Sequence, residues 1–187
     1  MANPTFRERN LSDIRDRKDW DPQNDGVDHL NIGIFRRGLG LASLLTNQSR
    51  RSPIDHPYLG HFSTMESYWT YLQYDNAPES IREMHGATLQ GVIKKLGGKK
   101  VRRRYFRDLI MDGNFYRIQQ SSAIKRAFIE SELPFANYYL HGDSNVPIYP
   151  TVSGWLVQDL HELREIFKRG LEFEYVPVPE ALANERL

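Results

Sequence analysis

The chain has 187 residues, a formal net charge of +1, 26% charged and 12% aromatic residues, and no cysteine. The length matches one domain of about 100–200 residues, enough to bury a core without covalent staples. The missing cysteine excludes disulfides, thiolate metal sites and a cysteine nucleophile, and no run approaches the ~18 apolar residues that a bilayer span requires.

The N-terminus has no apolar stretch of the signal-peptide kind, so a cytoplasmic protein is expected. Residues 1–28 read as a charged arm, with alternating signs and few apolar side chains; Leu11, Ile14 and Trp20 are the residues able to dock it. Residues 29–170 read as the body. A short period-two run at 29–35 predicts a strand, and Arg36-Arg37-Gly38-Leu39-Gly40 a turn. The polar stretch 41–60 reads as a long loop.

Met65, Tyr68, Trp69 and Leu72 recur at helical spacing, which predicts a helix over 64–74 capped by Ser63 or Thr64. Pro78 is suited to open a second helix running to about Met84. Leu89, Val92, Ile93 and Leu96 predict a helix over 88–96, stopped by Gly97-Gly98. Helices follow over 103–117, with Gly113 as a weak point, and over 123–131. Residues 137–141 read as a strand. Leu156, Leu160, Leu163 and Phe167 give a last helix over 155–168. Residues 171–187, with Pro177, Pro179 and four glutamates, read as an acidic extended tail. The fold class expected is α+β, a mainly helical single domain with a few short strands.

Two features carry chemistry. From 84 to 107 there is no acidic residue, while Lys94, Lys95, Lys99, Lys100, Arg102, Arg103, Arg104 and Arg107 all fall there. Such a block on a near-neutral chain points to an anionic ligand, or else forms a solvated helix end. Glu66 lies at the edge of the apolar stripe and shares a side of its helix with Thr70 and Gln73. A carboxylate partly desolvated by aromatic rings suits acid–base work; the plainer reading is a surface glutamate on a helix flank. No nucleophile elbow, Walker or Rossmann motif is present. The scattered histidines give no i,i+4 pair of the zinc type.

The segment Phe62-Ser63-Thr64-Met65-Glu66-Ser67-Tyr68-Trp69 resembles the signature helix of the NADAR (YbiA-like) N-glycosidase family: a small polar residue, a glutamate two places on, then an aromatic pair. Residues 30–35 followed by Leu41-Ala-Ser43-Leu are similar to that family's opening strand and Leu/Phe-Ser-Asn motif. The run from Arg117-Ile-Gln-Gln to Ala127-Phe128 is similar to its Lys-Phe-x-Gln-Asn run. The resemblance covers about residues 30–145. Trp69-Thr70 stands where the family has an aromatic and a glutamine. Arg102-Arg103-Arg104-Tyr105-Phe106 stands where it has Arg-x-x-Trp.

The resemblance implies hydrolysis of a C1′–N bond in a ribosyl-phosphate or ADP-ribosyl base or amine. Guanine ADP-ribosylated in DNA and a ribosylaminopyrimidine phosphate are examples. It implies Glu66 and Asp143 as catalytic residues. It implies Arg36, Arg37, Ser43, Trp69, Arg103, Tyr105 and Phe106 as substrate-binding residues, with no metal and no cofactor. The partners expected are that phosphorylated substrate and, in one case, DNA, but no membrane. A chain of this kind suits a bacterium or one of its viruses. The alternative is a nucleic-acid-binding or catalytically inactive relative that uses the basic 94–107 segment.

Overall fold

The computed structural model describes residues 19–34, 40–97, 100–141 and 146–186. Its centre is a 14-residue helix, α4 (Phe106–Gln119), whose Leu109, Ile110, Met111, Phe115 and Ile118 are all buried. Apolar residues fall all round this helix, and a helix apolar on every side has to be enclosed. Five more α-helices are described: α1 (Leu41–Leu45), α2 (Met65–Gln73), α3 (Gly86–Leu96), α5 (Ser122–Glu130) and α6 (Ser153–Lys168). The enclosure of α4 comes from α2, α5, α6 and strand β2 (Ile54–His56). Gly113 explains the closest approach: a Cβ there would lie 2.7 Å from the Tyr68 ring of α2. What reads as a weak point in the helix is the place where two helices meet.

The strands are short and lie in three separate pairs. β1 (Leu30–Asn31) runs parallel to β4 (Phe135–Ala136), with Leu30 opposite Phe135. β2 and β3 (Gly60–Phe62) form an antiparallel hairpin, as do β5 (Tyr139–Leu140) and β6 (Pro147–Ile148). The described residues thus form a mainly helical α+β single domain, as expected. Among them no helix is long and apolar enough to cross a membrane.

Five local expectations change. The strand expected over 29–35 covers only Leu30–Asn31. The 41–60 stretch is not a loop. It holds α1 and the strand β2, because Leu41, Leu45 and Ile54 bury themselves despite their polar neighbours. The strand expected over 137–141 is split. Asn31 replaces the ladder at the break, donating from Nδ2 to the Tyr138 carbonyl (3.1 Å) and accepting the Tyr138 N–H at Oδ1 (3.2 Å). After Pro78 comes a 3-10 turn (Glu79–Glu83) rather than an α-helix. The helix expected from 103 starts at Phe106.

Both ends of the described chain pack onto the body. Trp20 is buried, stacks on His29 at 4.6 Å and donates its backbone N–H to the Tyr149 hydroxyl (3.2 Å). The 171–186 segment has only two 3-10 turns, yet Tyr175, Val178 and Ala183 are buried. The buried carboxylate of Asp112 binds this segment, accepting the Tyr175 hydroxyl (2.6 Å) and the Val178 N–H (2.8 Å). A buried carboxylate needs such donors, so the acidic tail is a strap of the core.

Candidate functional site

Helix α2 starts at a capping box. Thr64 Oγ1 accepts the Ser67 N–H at 3.1 Å, and Ser67 Oγ accepts the Thr64 N–H at 3.3 Å. That cap sets the rotation of the helix. Met65, Tyr68 and Leu72 then face the core, while Glu66, Trp69, Thr70 and Gln73 line one cavity of about 550 Å³. Helical spacing alone puts Glu66, Thr70 and Gln73 on one side, and the structure turns that side to the cavity. The opposite wall comes from distant parts of the chain: Asn47 and Gln48 after α1, Gln90 and Ile93 of α3, Lys100, and Asn137 and Tyr139 around β5.

Glu66 is held at three points. Its backbone N–H donates to the Asn47 carbonyl (2.7 Å). Its Oε2 accepts the Gly86 N–H (2.8 Å), and its Oε1 accepts from Gln90 Nε2 (3.1 Å). The Gly86 N–H belongs to the first turn of α3, whose amides have no partner within the helix. The carboxylate therefore closes α3 where the helix dipole favours negative charge. Only one lone pair on each oxygen is used in this way, so the carboxylate retains acceptor capacity. Trp69, half-buried on the same helix, stacks on Trp155 (5.5 Å, 14° between planes) and makes a T-shaped contact with Phe106 (5.3 Å).

The other site expectations fall in different places. Phe106 lines a second cavity of about 540 Å³ with Lys100, Val101 and Arg102; Gln73 and Lys100 line both. Arg103 also borders this second cavity, but its guanidinium is spent inside the protein. It is buried, donating from Nε to the Leu72 carbonyl (2.8 Å) and from Nη1 to Asn184 Oδ1 (2.6 Å) and the Ala183 carbonyl (3.2 Å). It closes the end of α2 and clamps the strap. Tyr105 precedes α4 at its cap, under the Arg104 guanidinium (5.6 Å), and does not line the Glu66 cavity. Ser43 is buried in α1 and does not reach that cavity either; its hydroxyl accepts from Arg51 Nη2 (2.8 Å). Asp143, Arg36 and Arg37 lie outside the described residues.

The basic block divides in the same way. Arg107 pairs with the almost fully buried Asp159 (2.7 Å), and Arg104 pairs with Glu185 (3.4 Å). Lys94, Lys95, Lys100 and Arg102 are exposed. Among the described residues no cluster of three or more histidine, aspartate or glutamate side chains is arranged to hold a metal ion.

Sequence reasoning missed Asn47, Gln90, Asn137 and Tyr139. None has a local signal, because each reaches the cavity only through long-range packing. Compared with known proteins, the chain matches no family model, and neither a curated protein nor a solved structure matches it.

Proposed function

We propose that this chain is an N-glycosidase that hydrolyses the C1′–N bond of a ribosyl-phosphate or ADP-ribosyl base or amine. The observation that carries the reading is the Glu66 carboxylate, fixed by Gly86 and Gln90 on the wall of a cavity of about 550 Å³ that Trp69 also lines.

In this reaction the C1′–N bond breaks and its electron pair leaves with the nitrogen. Positive charge develops at C1′ and the ring oxygen. A preorganised carboxylate stabilises that charge. Water adds its oxygen to C1′ and loses a proton to Glu66; the leaving nitrogen takes one proton from solvent and Glu66 returns its own to solvent, so the sum is addition of one water. Trp69 offers an aromatic face for a base. The Asn47 and Asn137 side chains are suited to ribose hydroxyls, and Lys100 to an anionic group.

The test is product analysis by mass spectrometry on three substrates: DNA carrying ADP-ribosylated guanine, a ribosylaminopyrimidine phosphate, and NAD. The expected result is release of ADP-ribose or ribose phosphate by the native chain, lost in Glu66→Gln. No turnover of any of the three, or equal turnover by Glu66→Gln, rejects the reading.

The second reading, a nucleic-acid binder, draws on one observation: Lys100 and Arg102 are exposed and line the second cavity. It requires binding that weakens steeply with salt and survives Glu66→Gln.

A further inference from the structure

The Glu66 cavity holds two polar side chains that the fold itself does not use. Thr70 is only 5% exposed and Asn137 only 7%, and both line the cavity. The Thr70 hydroxyl has no hydrogen-bond partner among the described residues. A threonine inside a helix commonly returns its hydroxyl to the carbonyl four residues earlier; this one does not. Asn137 accepts the Ser153 hydroxyl at its backbone carbonyl (2.6 Å), but its side-chain amide has no partner among the described residues. Neither group belongs to the unpartnered side-chain atoms that are sealed from solvent, so both are reached from the cavity.

The backbone places each of them. Thr70 follows Glu66 by one turn of α2, which sets their Cβ atoms about 5–6 Å apart on one face. Asn137 stands on the opposite wall. Side chains alternate along an extended chain: Asn137 and Tyr139 line the cavity, while Tyr138 between them is buried with Trp20 on the other side. Gly33, also in the cavity wall, leaves room for the amide. A Cβ there would lie 2.9 Å from Asn137 Oδ1.

A hydroxyl and a carboxamide are neutral, and each both donates and accepts. Phosphate oxygens chiefly accept and an ammonium only donates, so neither uses the pair fully. The hydroxyls of a sugar both donate and accept, as the pair does. The anomeric carbon belongs at Glu66, and the 2′-hydroxyl is on the next carbon. Thr70, the next turn, is the residue that reaches it. The 3′-hydroxyl, one carbon further, falls to Asn137.

We propose that Thr70 binds the 2′-hydroxyl and Asn137 the 3′-hydroxyl of the substrate's sugar, so that the site selects ribosyl over 2′-deoxyribosyl compounds. The role in turnover rests on the glycosidase reading; selection of the sugar on binding does not. A deoxy sugar leaves the Thr70 hydroxyl buried and unpaired, and that is the source of the discrimination.

The experiment is calorimetric titration of the full chain with ribose 5-phosphate and with 2-deoxyribose 5-phosphate. The variants are Thr70→Val, which keeps the shape, Thr70→Ser, which returns the hydroxyl, and Asn137→Ala. Neither native side chain bonds within the protein, so all three variants are expected to fold, which melting curves verify. The native chain is expected to bind ribose 5-phosphate about tenfold or more tightly than the deoxy sugar. Thr70→Val should weaken the ribose compound alone and abolish the preference, and Thr70→Ser should restore it. Asn137→Ala should weaken both sugars alike. Equal affinity of the native chain for the two sugars overturns the proposal, as does no binding of either. So does a preference that survives Thr70→Val, or unchanged binding in Asn137→Ala. The two readings fail separately. A preference for ribose that follows Thr70 in a chain with no turnover keeps the sugar pocket and removes the glycosidase. Turnover that needs Glu66, yet has equal kcat/KM for a ribosyl substrate and its 2′-deoxy analogue, does the reverse.

Discussion

The Glu66 carboxylate accepts the backbone N–H of Gly86, twenty positions further along the chain, at 2.8 Å. One side chain therefore serves a catalytic proposal and a structural role, and substitutions separate them. Glutamine retains an oxygen acceptor for Gly86, whereas alanine does not. Glu66→Ala is expected to lower stability by about 1 kcal/mol, the usual cost of a lost helix N-terminal acceptor, and Glu66→Gln by less than about half of that. Both should lose turnover by about 100-fold or more, as removal of an acid–base group does. Chemical melts paired with the product assay measure the two effects. A Glu66→Gln chain that turns over normally leaves the residue with its structural role alone.

Gly113 and Tyr68 give the second prediction. In an exposed helix, alanine in place of glycine stabilises by about 1 kcal/mol. At 113 the added Cβ meets the Tyr68 ring at 2.7 Å and the Met65 methyl at 3.3 Å. The ring has little freedom to yield, because its hydroxyl is tied to the Leu109 carbonyl (2.9 Å). Gly113→Ala is therefore expected to destabilise, by about 1–3 kcal/mol as overpacked cores do. A urea midpoint above that of the native chain contradicts the packing described.

The basic block should behave as two classes of residue. Arg107 neutralises Asp159, whose side chain is only 1% exposed. Arg107→Ala removes this cation from a buried carboxylate and is expected to cost about 3 kcal/mol. Lys95→Ala, on an exposed turn of α3, should stay within about 0.5 kcal/mol. Equal effects in equilibrium unfolding contradict the division of the block.

Two histidines set the response to acid. Burial lowers the pKa of His56, caged by Tyr58, Tyr68 and Tyr116, to about 4. Burial, helped by the Arg164 guanidinium, lowers His161 to about 4 as well. The unfolded chain takes up these protons near pH 6.5, while the folded one resists them to about 4. Between those values the unfolded state binds more protons, so stability is full above pH 6.5 and is lost as the pH falls towards 4. The expected observation is a Tm that declines from pH 6.5 to 4.5, with a shallower decline in His56→Phe. A flat Tm across that interval is the contrary result.

Local periodicity was enough to determine much of the fold. The stripe Met65, Tyr68 and Leu72 is buried, the Thr64 cap forms, α3 ends at Gly97 with φ of 56°, and Leu156, Leu160, Leu163 and Phe167 line the inner face of α6. These features depend on residues within a few positions of one another, so a linear pattern carries them. The placement of Glu66 beside Thr70 and Gln73 is of the same kind. What the sequence left open is which charges are free. Arg103, Arg104 and Arg107 are adjacent or nearly so, yet one clamps the strap, one pairs at the surface and one neutralises a buried aspartate. Those partners lie 52 to 81 positions away. Only the folded chain brings them together, just as it brings Asn47, Gln90 and Asn137 to the cavity. Burial and long-range hydrogen bonding decide whether a basic side chain is a ligand or a brace, and neither is a property of neighbouring residues.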